Sequence, residues 1–158
     1  MSEVNMEKAK EVYKTLCDML DHKEWNYDKV EDDLVIKSGV KSDDFPIEFI
    51  MRVNPKNQLV SYLSCLPFKI SEEKRIDAAI AVCVANYGMV DGSFDYDISD
   101  GSIIFRLTSS YRDSVLGEDL FEYMIMVAAS TIDNYNDKFF MISKGMLSIE
   151  DFIKQENE

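Results

Sequence analysis

The sequence predicts an α+β fold, an antiparallel sheet flanked by helices in the order α-β(3-4)-α-β-β-α-α. Three observations predict it. The hydrophobic period switches repeatedly between about 3.6 and 2 along the chain. Two compact turn signals, Asn54-Pro55-Lys56-Asn57 and Asp100-Gly101, each sit between alternating apolar segments. At 158 residues and 46% hydrophobic, the chain carries enough apolar matter for one packed core, read as a single domain over residues 1–158.

The elements follow in order. Met6, Ala9, Tyr13, Leu16 and Leu20 recur at spacings of three and four, with Glu7, Lys10, Glu11 and Lys14 on the opposite side, which predicts an amphipathic helix ending near His22. Trp25 to Lys29 and Leu34 to Val40 are short extended segments. Ile47, Phe49, Met51 and Val53 then alternate with polar residues up to the Asn54 turn. With Asn57 in the left-handed position, Asn54 pairs with Gln58, and Val53, Phe49 and Ile47 face Leu59, Leu63 and Cys65. After Pro67 the period lengthens: Ser71 is placed to cap a helix carrying Ile76, Ala79, Ile80, Cys83 and Tyr87 on one stripe, with Gly88 as terminator. Ser93 to Ile98 and Ser102 to Leu107 form the second hairpin. A two-residue turn sets Ile98 against Ile103, Tyr96 against Phe105, Phe94 against Leu107 and Asp95 against Arg106. A long helix from Gly117 to Ile142 is apolar on more than one side, and Ser148 with Asp151 forms a capping box before a short last helix.

Charge narrows the function classes. Seventeen Lys and Arg against 30 Asp and Glu give a net charge of -13. A nucleic-acid or anionic membrane surface requires clustered cations, whereas the densest basic spot here, Lys74-Arg75, directly follows Glu72-Glu73. Neither partner is expected. Glu3 and Glu7 stand where a signal peptide needs positive charge, and the longest apolar run, Ala78 to Ala85, is far short of the ~20 residues that span a bilayer. A cytoplasmic location is expected.

Chemistry finds little material. Cys17, Cys65 and Cys83 show no ligand spacing and read as small buried hydrophobes. The series Asp91, Asp95, Asp97, Asp100 fails as a calcium loop, because counting from Asp95 puts Asp100 at the obligatory Gly and Arg106 at the bidentate Glu. Ser71-Glu72-Glu73-Lys74 fits the S-x-x-K pattern without its companion motifs. His22, the one His, falls at a helix end. Asp32-Asp33 and Asp43-Asp44 lie in polar turns with no apolar setting to raise a pKa. No catalytic residue, cofactor or metal is expected. The feature that points to a function is the content of 9 Met, 9 Phe and 8 Tyr, with Tyr123, Met124, Met126, Tyr135 and Phe139 to Met141 crowded on the last long helix, which favours binding over catalysis.

The element order, with Leu66-Pro67-Phe68-Lys69, Glu73-Lys74-Arg75, Asn86-Tyr87, Gly92-Ser93-Phe94-Asp95 and Asp100-Gly101, resembles the YbjN family over roughly Trp25 to Ile142. That family is described as proposed bacterial sensory transduction regulators. The sequence departs from it at Asn134-Tyr135-Asn136-Asp137, where members often carry a Pro-containing helix end. The resemblance implies a fold like that of the type III secretion chaperones, commonly dimeric, which keep an extended partner segment against apolar grooves. The implied function is a non-catalytic protein-binding module, chaperone-like or regulatory, and a homodimer. Its partner-binding set is Tyr62, Leu66, Phe68, Tyr87, Tyr123 and Met126. The alternative is a small-molecule sensor with an apolar pocket enclosed between sheet and helices.

Overall fold

A computed structural model describes residues 3–158. Helix α1 (Glu3–His22) leads into strands β1 (Tyr27–Val30), β2 (Val35–Val40), β3 (Ile47–Asn54) and β4 (Leu59–Cys65). Helix α2 (Arg75–Tyr87), strands β5 (Ser93–Asp97) and β6 (Ser102–Ser110), and helices α3 (Glu118–Ser143) and α4 (Ile149–Glu156) complete the chain. The strands form one antiparallel sheet in the order β1-β2-β3-β4-β6-β5, so the α2-β5 segment leaves after β4 and returns β6 to its side. Chain order and α+β class follow the sequence expectation.

The sheet has an inner face under the helices and an outer face. On β3 the alternation is strict: Ile47, Phe49, Met51 and Val53 are buried, while Glu48 and Arg52 are exposed. An aromatic row crosses the inner face. Phe49 of β3 stacks on Tyr62 of β4 at 4.7 Å, Tyr62 meets Phe105 of β6 edge-on at 6.3 Å, and Phe105 meets Phe94 of β5 at 5.2 Å. Phe94 carries the row into the helical layer through Tyr135 and Phe139 of α3, and Phe139 reaches Phe152 of α4. Aromatic pairs of this kind add ~0.5–1.5 kcal/mol each beyond area burial, and the row takes up seven of the 18 aromatic residues.

Both hairpins form, each with a longer loop than the sequence reading gave. Pro55 to Gln58 is a four-residue turn in which Gln58, not Asn57, has positive φ (54°). Asn54 Oδ1 accepts from the Asn57 N–H, three residues on, at 3.0 Å, a side-chain cap that closes the longer loop. Asn54 therefore pairs with Leu59 and Val53 with Val60. One residue of slip inverts a strand: Val60, Tyr62 and Ser64 go inward, and Leu59, Leu63 and Cys65 face outward, against expectation. At the second hairpin, Ile98 to Gly101 form the turn, so Tyr96 pairs with Ile103 and Phe94 with Phe105. This shift of two residues preserves the faces. Asp95 reaches Arg106 diagonally, at 2.5 Å, rather than directly across.

The helices are tied at their ends. His22 Nδ1 lies 2.9 Å from Glu118 Oε2, and Lys23 pairs with Glu122 at 2.9 Å, joining the end of α1 to the start of α3. The bond to Glu118 holds the imidazole pKa above its ordinary value of 6.5. Ser148 caps α4 by accepting from the Asp151 N–H at 3.1 Å, as expected. Ser71 does not cap. Its N–H and hydroxyl bond to Ser143 instead (2.9 and 2.7 Å), which fastens the β4–α2 connection to the end of α3. Gly88 is not left-handed (φ -86°). The chain leaves α2 through Asn86, whose amide donates to Phe94 O at 2.9 Å and accepts from Phe94 N–H at 2.8 Å.

Candidate interaction surface

The outer face of the sheet forms the candidate site. Because residues two apart share a face, strand register fixes what stands there. Lys37 of β2, Ile50 of β3, Leu63 of β4 and Arg106 of β6 form one row across four strands. Cys65 and Ile104, paired on β4 and β6, belong to the adjacent row. Together with Glu48, Asp28 and the side-chain-free position Gly39, they line an open trough of about 660 Å³. Ile50, Leu63 and Ile104 are half-buried by their neighbours alone, and Cys65 is exposed. The floor is apolar. The rim is of mixed sign, with Lys37 and Arg106 against Asp28 and Glu48, and the Arg106 guanidinium is held by Asp95.

Sequence reasoning missed this trough because β4 is apolar on both faces. Leu59, Leu63 and Cys65 compete with Val60 and Tyr62, so alternation alone does not choose. The extra loop residue does. It sends the larger aromatic inward and the smaller side chains out. Cys65 is consequently exposed, Cys83 is exposed on α2, and of the three cysteines only Cys17 is the buried hydrophobe expected.

The six residues named for partner binding do not form one site. Tyr62 is wholly enclosed in the aromatic row, and Leu66 is 7% exposed. Phe68 is half-buried, packed on Phe45 and Phe140 at 5.4 Å each. Tyr87, Tyr123 and Met126 stand on the helical side, 94%, 49% and 56% exposed. The Tyr123 hydroxyl donates to Asp91 in the loop after α2, a bond that raises its pKa. The helical side thus holds the three accessible members of the set.

The residues weighed for chemistry have other partners. Ser71 is occupied by Ser143, and Lys74 reaches Asp77 at 3.5 Å, so the S-x-x-K pair is not brought together by a bond. Asp97 and Asp100 accept from Ser99 and Ser102 in the hairpin turn. Lys69, 2.6 Å from Asp100, heads the bonds that hold that carboxyl well below the usual range. Asp44 is exposed in a turn, as expected, yet desolvation, then the nearby Asp137, Asp133 and Asp43, push its carboxyl up, and the Asp43 N–H donates to Asp133. No described helix is long and apolar enough to cross a membrane.

The chain matches no protein-family model and no curated protein sequence. Among solved structures it is similar to YbjN from E. coli, described as a proposed transcription regulator. The two share 9% identity with a TM-score of 0.55, over 77% of this chain and 86% of that one. At that identity the likeness concerns the fold: helices over an antiparallel sheet, in an arrangement similar to that of YbjN.

Proposed function

We propose that this chain is a non-catalytic protein-binding module, chaperone-like or regulatory, that holds an apolar partner segment in the trough on the outer face of the sheet. The observation that carries the reading is the trough itself, an open apolar floor at the centre of a six-stranded sheet in a chain of net charge -13. An antiparallel sheet commonly leaves one face to water, and that face is then ordinarily polar. Here Ile50, Leu63 and Ile104 occupy its centre instead. An open groove suits a segment of a macromolecule, whereas a small-molecule sensor calls for an enclosed cavity with convergent polar groups. The mixed-sign rim fixes orientation, since charges at an interface edge contribute register and specificity more than affinity. The fold-level likeness to a protein described as a regulator is consistent with this reading.

The test is capture from the native cell with the full chain and with Leu63→Glu, followed by hydrogen exchange on the recovered complex. The expected result is a protein retained by the wild type, with amide protection gained in β3, β4 and β6, and lost with Leu63→Glu at unchanged melting temperature. Retention unaffected by Leu63→Glu overturns the trough as the site. A small apolar molecule in native mass spectra, in place of a protein, transfers the reading to the sensor class.

A further inference from the structure

A second cleft lies on the helical side of the sheet edge, where one side of α1 meets β1 and the short turn Glu31–Asp33 that follows it. It holds about 800 Å³, is more enclosed than the trough and shares no lining residue with it. Strand β1 divides the two: Asp28 lines the trough and its neighbour Lys29, on the other face, lines the cleft. The floor is apolar. Tyr13 and Cys17 of α1 and Leu34 after the turn are buried there, with Met6 half-buried beside them. Leu34 stands in the left-handed conformation, φ 53° and ψ 46°, which is costly for a residue with a side chain and gathers at sites that hold ligands. Burial above all, then Cys17 and Glu31, raises the Tyr13 phenol to about 12, and burial raises the Cys17 thiol against the pull of Lys29. Both floor groups are therefore uncharged at neutral pH. Above the floor the charges are of both signs and unjoined. Lys14 is taken by Asp18 on the same helix at 2.5 Å, but Lys10, Lys29, Glu31 and Asp32 are exposed, and no ion pair among the described residues involves any of the four. Three Lys balance Asp18, Glu31 and Asp32 within a chain of net charge -13, so an acid repelled over most of the molecule meets no net repulsion here.

We infer that this cleft binds a small zwitterion with an apolar body, an amino acid with an apolar side chain or a short apolar peptide with free ends. Each part of such a ligand has its counterpart. Lys10 and Lys29 are the cations open to its carboxylate, Glu31 and Asp32 the carboxylates open to its ammonium group, and Met6, Cys17 and Leu34 the surface for its side chain. A ligand of one charge would leave the protein charges of the other sign unmatched, and an uncharged apolar one would take water from all four without replacing it. A zwitterion engages both signs. The volume lies within the roughly 300–1,000 Å³ of small-molecule sites, which combine an apolar lining with a few convergent polar groups. The inference is independent of the trough, which lies on the other face of the sheet.

Titration of the full chain with L-leucine and with the dipeptide Leu-Leu, followed in methyl and amide NMR spectra, tests it. The expected result is saturable shifts at the Met6 and Leu34 methyls and at the amides from Lys29 to Leu34, with Kd between about 10 μM and 1 mM for the better probe. Tighter binding of Leu-Leu assigns a peptide, and tighter binding of leucine a single amino acid. The amine 3-methylbutylamine and the acid 4-methylpentanoate keep the apolar body and one charge each, and both are expected to bind at least about tenfold more weakly than leucine. Lys29→Gln and Glu31→Gln, both at exposed positions, are each expected to weaken the better probe about three- to tenfold with melting temperature unchanged. No saturable shift with either probe up to about 10 mM, one-charge analogues that bind as well as leucine, or variants that bind like the wild type overturns the inference. Leu63→Glu is expected to bind the better probe like the wild type, and loss of binding there, or shifts confined to β3, β4 and β6, places the probe in the trough and also overturns it. Failure of partner capture leaves these results untouched, so the two readings fail separately.

Discussion

Two residues show how one atom decides a position. Gly101 closes the β5–β6 hairpin with φ of 81° and stands so close to the Ile70 backbone that a Cβ would lie 2.4 Å from Ile70 O. Its carbonyl accepts from the Ile70 N–H at 2.8 Å. Positive φ alone is costly for any residue with a side chain, and the neighbour is backbone with no rotamer to yield. Gly101→Ala is therefore expected to cost roughly 2–4 kcal/mol, at the upper end for single substitutions, read as a lower urea midpoint with unchanged slope. Tyr62 works in the opposite sense. Its ring is central to the aromatic row, but its hydroxyl is buried without a well-formed hydrogen bond among the described residues, since the nearby Ser64 hydroxyl donates to Glu48 O, and burial outweighs Ser64 and pushes the Tyr62 pKa far up. A buried polar atom without a partner lowers stability by ~1–3 kcal/mol, so removing it is favourable where the shape is kept. Tyr62→Phe is expected to leave the melting temperature unchanged or to raise it, and a clear loss of stability would show that the hydroxyl is bonded in solution.

At the scale of elements, α4 depends on a small polar clamp. Glu156 accepts from Tyr135 Oη at 2.7 Å and from Lys138 Nζ at 2.9 Å, both on α3, while Phe152 enters the core beside Phe139. Burial works against the Glu156 carboxylate, but the bonds from Lys138 and Tyr135 outweigh it and hold the pKa below its ordinary 4.5. A depressed carboxylate stabilises the fold fully above its unfolded pKa and progressively less as pH falls through the folded value. Amide exchange in α4 is thus expected to quicken below about pH 4.5 before the sheet responds, and Glu156→Gln should reproduce part of that loss at pH 7, about 0.5–1 kcal/mol for a partly exposed pair. The elements most legible in the sequence were those with a single apolar side. α1 and β3 have one such side each, and the Ser148 cap is a local hydrogen bond whose signature is local in sequence. β4 and Cys83 of α2 were misread for a shared reason: each element is apolar on two sides. On β4 one added loop residue chose the buried face. On α2 the close approach to sheet and helices selected alanines over isoleucines, since a large side chain facing a near neighbour would have to hold the helix away. The candidate surface was hidden by the same ambiguity, for the trough is the face that β4 turned outward.

For the whole molecule the excess of 13 negative charges sets how it responds to salt. Two opposing terms are present. The ion pairs Lys14–Asp18, Lys23–Glu122, Lys69–Asp100 and Arg106–Asp95 stabilise and lie at 2.5 to 2.9 Å, whereas the uncompensated carboxylates repel one another across the whole molecule. Range separates them. At 0.01 M ionic strength the Debye length is about 30 Å, so repulsion acts over distances comparable to the fold, whose expected radius of gyration is ~15 Å. At 0.15 M it falls to about 8 Å, which removes most of that repulsion and leaves contacts under 3 Å largely intact. Each exposed pair contributes ~0–1 kcal/mol in any case. Unfolding relieves repulsion by letting the chain expand, so screening favours the folded state. The melting temperature is expected to rise by several degrees between about 0.01 M and 0.15 M NaCl, with most of the change complete before 0.5 M. A fall would mean that the ion pairs outweigh the excess charge.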